Sequence, residues 1–367
     1  MLSPLFDRAK GIEVRTTARV SPYETVGRPP WWDTMLETDL KQPAALSSPE
    51  TDLLAMMLGV AGTQLIGLAA QLGIADLLDD LPRPIAALAE ATGMREQALL
   101  QAMRALAKLG VFAEPEPGYF TNTAVANLLR ADAPNSLRDY AVLLSSGMMF
   151  RGWANLRHAL ETNEGALDDA LGMEVYARFQ QHPGDAAMFD AAMSSVSRQE
   201  AIAIRKAYDF SQFDTLIDVG GGRGLVLARL LETNLNLCGV LCELPNVAES
   251  AHPLLGRYLT DGRCRIEAGD FCTAVPTGGA DYLLKRVFVV LDDDRARRVL
   301  RNCRDAIAGG GRLLVAEPDP STLYGRLYDV FMLMAHGTGL RAEAEMPRTS
   351  EKVSAIPIES TVRPKKT

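Results

Sequence analysis

Histidine is scarce in this 367-residue chain, with four in all. None falls in an H-x-x-x-H or H-E-x-x-H spacing, which argues against a zinc enzyme, and no other metal site is expected. Cysteine is also sparse: Cys238, Cys242, Cys264, Cys272 and Cys303 make five, an odd number. They have no metal-ligand spacing and read as buried thiols of a reducing cytosol. No apolar run reaches the ~18 residues of a membrane span. The amino terminus lacks a signal-peptide apolar core, so the expectation is a cytoplasmic protein without a membrane partner. Positive charge is short as well, and a net charge of −8 argues against nucleic acid as a bulk partner. What is present is a 47% hydrophobic content, enough for a full core, and length enough for two domains.

The chain is organised around Thr215 to Pro245. A short apolar run, Leu216 to Val219, reads as a buried parallel strand and stops in Gly220, Gly221, Gly222 and Gly224. An amphipathic stretch from Leu225 to Leu231 reads as a helix, and a second apolar run, Leu237 to Cys242, ends in Glu243. Strand, glycine turn, helix and strand with a terminal acid form the first half of a nucleoside-binding βαβ unit. Glycines let the backbone take positive φ and approach a ligand, and the terminal acid can accept both ribose hydroxyls. A dinucleotide site spaces its glycines G-x-G-x-x-G around a pyrophosphate, whereas here Asp218 directly precedes the turn. An acid there repels a pyrophosphate and favours a cation, so the amino group and sulfonium of S-adenosyl-L-methionine fit better than NAD.

Residues 1–47 read as an irregular extension, with prolines at 22, 29, 30 and 43 and an apolar Trp31-Trp32 pair. A helical pattern starts near Thr51. Its small residues, among them Gly59, Gly62 and Gly67, permit close helix approach and suit an oligomer interface or a core. Helices at Ile85 to Glu90 and Glu96 to Leu109 precede a hairpin of Val111-Phe112 and Tyr119-Phe120, a winged helix-turn-helix pattern. Its basic residues, Arg95, Arg104 and Lys108, are too few for a DNA reader in an acidic protein, so dimerisation is the favoured use. Residues 137–206 are again helical, and Met149, Trp153 and Met193 are candidates to face a substrate. Beyond Glu243, strands are expected at Cys264 to Ala268, Ala280 to Leu284 and Arg312 to Ala316. Gly269-Asp270-Phe271, Lys285-Arg286 and Glu317 close them, each at a carboxyl end, where open α/β sheets bind ligands. Asp270 can accept the adenine amino group while Phe271 packs on the ring.

From about residue 50 to 345 the chain resembles the small-molecule O-methyltransferases of the caffeate or hydroxyneurosporene type. The matching stretches are L-G-I-A-D-L-L (72–78), I-D-V-G-G-G-R-G (217–224), E-L-P (243–245), G-D-F (269–271), L-L-K-R-V (283–287), V-L-R-N-C-R (299–304) and V-A-E-P (315–318). The resemblance implies an S-adenosyl-L-methionine cofactor and a Rossmann-like α/β methyltransferase domain preceded by an all-helical winged-helix dimerisation domain. It also implies a homodimer with a small-molecule substrate bound between domains.

The departures from that family are as informative. After its fourth strand the family usually reads L-K-R-V-L-H-D-W-D-D-E, whose histidine is the general base for the substrate hydroxyl. Here the stretch is L-K-R-V-F-V-V-L-D-D-D, so Val289 stands at the base position. Leu340 stands where the family's second supporting glutamate is expected, and Glu317 alone remains of the pair. Three accounts stay open: methyl transfer to an acceptor needing little base help, non-methylating chemistry steadied by the sulfonium charge, and a silent partner subunit. His158 and His336 are candidates to supply a base from elsewhere. The tail is also atypical, since only Val353 to Ile358 can form an edge strand, limited by Pro357.

The expected organisation is an extension (1–47), a winged-helix dimerisation and substrate-lining domain (48–205), a Rossmann-like domain (206–346) and a shortened tail (347–367). Asp218, Gly220, Gly222, Glu243, Leu244, Gly269, Asp270, Phe271, Lys285 and Arg286 are the expected cofactor residues. Glu317, Val289 and Leu340 mark the catalytic positions. Met149, Trp153, Met193, Val289 and Met334 are the expected pocket lining.

Overall fold

The computed structural model describes residues 48–78, 81–279, 281–307 and 311–341, together with the backbone of 354–358. The expected amino-terminal extension and most of the tail lie outside the described residues. Two compact units emerge, one of residues 48–154 and 169–196, the other of 155–168 and 197–358.

The first unit is mainly helical. Ser48 caps the helix Pro49–Met57, its Oγ accepting the Thr51 N–H at 3.4 Å. The helix Gly59–Gln71 packs on Arg138–Leu144 through Gly67, where any Cβ would overlap the Ser145 side chain. The helix Ile85–Thr92 ends at Gly93, held at φ +69°, and Glu96–Lys108 buries Leu99, Met103 and Leu106 on one face. Arg83–Pro84 (β1), Phe112–Glu116 (β2) and Tyr119–Asn122 (β3) form an antiparallel sheet in the order β1-β3-β2. The sequence pattern predicts a two-stranded wing in an otherwise helical domain. The third strand is two residues long and half proline, too short to carry a periodicity. Ile74, Leu78, Leu88, Met103, Phe112 and Phe120 fill this unit's core. Leu53, Leu54, Met56, Met57 and Leu58 are each more than half exposed on the first helix and its end.

The second unit is a parallel sheet of Thr215–Val219 (β4), Cys238–Glu243 (β5), Cys264–Ala268 (β6), Asp281–Lys285 (β7), Arg312–Pro318 (β8) and Ser354–Ile358 (β9). The spatial order is β6-β5-β4-β7-β8-β9, the doubly wound order in which the connection reverses between the first and fourth strands. Burial on both faces explains why β4, β5 and β7 read as near-continuous apolar runs. One core packs Leu227, Leu230, Leu241 and Leu255 on one face of the sheet. The other packs Ile217, Tyr282, Leu284, Val299 and Leu300. The helix Asp293–Ala306 is capped by Asp292 and buries Ala296, Val299, Leu300 and Cys303, a clean helical stripe. The backbone of Ser354–Ile358 runs parallel to β8 and covers its outer edge, with Pro357 opposite Glu317 in register.

Candidate active site

The strand order reverses between β4 and β7, and the candidate residues collect outside the carboxyl ends of those strands and their neighbours. Val219 leads into a turn in which Gly220, Gly222 and Gly224 all have positive φ, at +69°, +59° and +74°. At Gly220 a Cβ would press on Val287 Cγ2 at 2.9 Å and on the Phe271 ring at 3.3 Å. Gly222 has no atom within 4 Å of its absent Cβ, so open space lies against bare backbone there.

Glu243, at the end of β5, ties the turn down. Its Oε2 accepts the Gly222 N–H at 3.0 Å and its Oε1 accepts the Leu244 N–H at 2.8 Å. Burial pushes the Glu243 carboxyl up, and those two amides oppose the push. Each oxygen keeps a lone pair for a further donor, which suits a ribose diol.

Asp218 is fully buried, and neither of its carboxylate oxygens has a hydrogen-bond partner among the described residues. A Cβ on Gly221 would strike its Oδ2, so the carboxylate lies beneath the turn rather than on its open side. Burial raises the Asp218 carboxyl to about 7, with Lys285 pulling it down and Glu243 pushing it up. The sequence suggests that this acid holds a cation directly; the structure lets it act through the field it places under the glycine backbone.

Asp270 and Phe271 follow β6 and Gly269. Asp270 Oδ1 accepts the Cys272 N–H at 2.8 Å, an Asx turn, and the Phe271 carbonyl accepts from Asn302 Nδ2 at 2.9 Å. The Phe271 ring approaches Gly220 and the turn, while Leu244 stays 42% exposed beside Glu243.

Lys285 and Arg286, expected beside the cofactor, are both engaged by a residue the sequence reading passes over. Lys285 Nζ lies 3.1 Å from Glu200 Oε2 and 3.3 Å from Ser197 Oγ, and Arg286 Nε pairs with Glu200 Oε1. Glu200 is 1% exposed on the helix Pro183–Ala207. Burial alone raises its carboxyl, but the Arg286 and Lys285 cations outweigh that and hold it below the usual range. Arg286 is a non-glycine residue with φ +55°, a strained conformation just past β7, where its N–H bonds the Ala316 carbonyl of β8 at 3.0 Å.

The turn Phe288–Val290 follows, and Val289 is buried at 2% exposure. Thr338 Oγ1 bonds its carbonyl at 2.6 Å, and Arg341 bonds the Phe288 and Leu291 carbonyls at 2.6 Å each. Glu317, on β8, accepts the Phe288 N–H on Oε1 at 3.0 Å. Its Oε2 is buried without a hydrogen-bond partner among the described residues. Burial pushes the Glu317 carboxyl to about 7, opposed by Arg286 and the amides of Phe288 and Val289. Leu340, half-buried, bonds Asp329 Oδ1 through its backbone N–H at 2.7 Å.

The helix Leu323–His336 carries an aromatic ladder. Tyr324 and Tyr328 stack at 5.9 Å, Tyr328 and Phe331 at 5.8 Å, and the Arg286 guanidinium sits 4.4 Å above the Tyr328 ring. The sequence signal for it was there, aromatics at i, i+4 and i+7 in Y-G-R-L-Y-D-V-F. Met334, on the same helix, is fully buried. Met149, Trp153 and Met193 belong to the other unit, where Met149 is buried and Trp153 is 38% exposed. His336 is driven down to about 4 by burial, and His158 lies 3.9 Å from Glu164.

Comparison with known proteins decides what this arrangement is. The family model of the O-methyltransferase domain matches residues 153–351, and that of the O-methyltransferase dimerisation domain matches 54–132. The chain belongs to the O-methyltransferase family. A phenazine O-methyltransferase of Lysobacter antibioticus is 37% identical over 297 residues, covering 80% of this chain and 87% of that one. A mitomycin biosynthesis 6-O-methyltransferase of Streptomyces lavendulae is 36% identical, covering 84% and 90%. A neocarzinostatin-biosynthesis O-methyltransferase, solved with S-adenosylmethionine and 2-hydroxy-5-methyl naphthoic acid, superposes with a TM-score of 0.66 at 28% identity, covering 82% and 91%.

The protein is a methyltransferase that depends on S-adenosyl-L-methionine, and its own residues fit that cofactor. The open backbone at Gly222 leaves room for it, and Glu243 offers spare acceptors at the right strand end. The buried Asp218 carboxylate, without a hydrogen-bond partner among the described residues, is of the right sign for its cationic end.

Proposed function

We propose that this O-methyltransferase-family enzyme methylates a hydroxyl or amine on a small, flat aromatic or polyketide-like metabolite, and that it works as a cytoplasmic homodimer. The observation that carries the site assignment is the clamp of Glu243 on Gly222 at 3.0 Å, at the reversal point of the sheet. In this reading the bound cofactor supplies an electrophilic methyl group on a sulfonium.

The chain's residues do the rest. Glu243 accepts the ribose hydroxyls, Asp270 and Phe271 take the adenine, and the glycine turn lets the backbone come close. Asp218 sets the potential beneath the turn, and Gly269 and Leu244 shape its rim. Lys285 and Arg286, both paired with Glu200, brace the carboxyl end of β7. The ladder of Tyr324, Tyr328 and Phe331 offers stacking surface for a planar acceptor. Val289 and Met334 are apolar and buried, and the substrate candidates Met149, Trp153 and Met193 belong to the other unit. Such fixed surfaces favour catalysis by alignment, which can supply roughly 7–11 kcal/mol of a barrier.

The acceptor class follows the relatives, which by name act on phenazine and mitomycin skeletons. Residues 48–205 serve dimerisation and substrate lining, and 206–346 hold the cofactor. The exposed apolar residues Leu53, Leu54, Met56 and Met57, inside or beside the matched dimerisation domain, suit a second copy of the chain.

Incubation with methyl-labelled S-adenosyl-L-methionine and a panel of hydroxy- and amino-substituted polycyclic aromatics tests the proposal. It expects one labelled methyl on an acceptor for each S-adenosylhomocysteine released. An acceptor altered without S-adenosylhomocysteine release would overturn it.

A further inference from the structure

We propose that Glu317 itself takes the proton of the methyl acceptor, in the place of the imidazole that Val289 does not provide. The inference rests on the methyl-transfer reading and assigns its proton step. Three observations on one side of the sheet carry it. Glu317 is anchored through Oε1 by the Phe288 N–H at 3.0 Å, which fixes the plane of its carboxylate. Its other oxygen, Oε2, is buried and has no hydrogen-bond partner among the described residues. Buried carboxylate oxygens are almost always satisfied, so an orphan in a native site points to a missing donor. Val289, whose backbone amide also bonds the Glu317 carboxyl, is buried at 2% exposure and carries a side chain shorter than an imidazole. In this proposal the acceptor's hydroxyl or amine is the donor that the buried Oε2 lacks, seated where a histidine would otherwise intervene.

The surroundings suit the role. Burial raises the Glu317 carboxyl to about 7, within the range in which a base is both ionised and strong at neutral pH. Arg286, at the end of β7, pulls it down, and Glu200, on the helix Pro183–Ala207, pushes it up. Tyr328, on the helix Leu323–His336, is itself driven up by burial and stays a neutral phenol. His336, at about 4, is a weaker base than Glu317.

The step balances. The acceptor's O–H or N–H bond breaks and its proton passes to Glu317 Oε2. The acceptor's electron pair forms the new bond to the methyl carbon, and the sulfonium C–S bond breaks with its pair left on sulfur as a neutral thioether. Glu317 then returns the proton to water.

Glu317→Gln and Glu317→Asp, made in the full chain, test the assignment with two readouts. Infrared titration of the cofactor-free protein should show buried carboxylic-acid absorbance that disappears near pH 7, with contributions from Asp218 and Glu317, and the Glu317 share should be missing in Glu317→Gln. The turnover of the wild type should rise with pH to a plateau with a midpoint near 7. Glu317→Gln should lose roughly 10²- to 10⁴-fold in kcat while binding S-adenosylhomocysteine as tightly as wild type, and Glu317→Asp should recover part of the loss. Wild-type turnover in Glu317→Gln, or an unchanged infrared titration, would overturn it. Failure of the methyl-transfer reading is separate, because it appears as a wild type that releases no S-adenosylhomocysteine.

Discussion

Glu243 Oε2 accepts the Gly222 amide hydrogen at 3.0 Å, joining the end of β5 to the middle of the glycine turn. The bond freezes the turn in a shape whose open side at Gly222 is bare backbone. Gly222→Ala would strain a residue at φ +59° and project a methyl into that space. A fold that loses only about 1 kcal/mol, with S-adenosylhomocysteine affinity down by roughly tenfold, that is about 1.4 kcal/mol, is the expected result. Thermal unfolding and calorimetric titration of the variant check both halves.

Asp218 couples cofactor binding to pH. Its carboxyl stands at about 7 because it is buried, and an arriving cation favours the ionised form. Affinity for S-adenosyl-L-methionine should be flat above pH 7 and fall by up to about tenfold per unit below it. Asp218→Asn should flatten the profile. The same raised value means that the cofactor-free protein binds an extra proton when folded, so its stability falls as pH rises from about 4 through about 7. Titrations of wild type and variant across pH 5.5–8.5 check the sign.

Glu200 compensates two cations, Lys285 at 3.1 Å and Arg286, from a position 1% exposed. Glu200→Gln leaves both positive charges short of a partner in a dry site. A loss of about 3–5 kcal/mol is expected, read as a fall in denaturation midpoint at an unchanged m-value. A variant as stable as wild type would mean that the cations find other partners.

The exposed side chains of Leu54 and Met57, 56% and 62% accessible, lie at the start of the region matched by the dimerisation-domain model. Leu54→Asp with Met57→Asp should convert a homodimer to a folded monomer, because a charge buried in an apolar contact is too costly to keep. Light scattering with size separation gives the mass directly. A dimer that survives both changes would place the interface elsewhere.

The parts of the fold legible in the sequence are those where one local rule acts alone. A buried parallel strand has to be apolar throughout, so Leu216 to Val219 announced itself, and the turn demanded glycine wherever φ is positive. The helix Asp293–Ala306, with its Asp292 cap and apolar stripe, obeys local rules of the same kind. Glu200 was hidden because its partners are far away in sequence and its helix of 25 residues has no single apolar face to mark the buried acid. Strand β1 escaped because two residues carry no period. The loss of an imidazole at 289 was visible only against a family pattern, and the orphaned Glu317 Oε2 only in three dimensions.

The most direct measurement is calorimetric titration of S-adenosylhomocysteine into wild type and Glu243→Gln at neutral pH. One molecule bound per chain is expected for wild type. An amide at 243 loses the charge behind the ribose contact, worth about 1.5–3 kcal/mol for hydrogen bonds to a charged group, and affinity should fall at least tenfold. Equal affinity in the two proteins would contradict the placement of the cofactor at the end of β5.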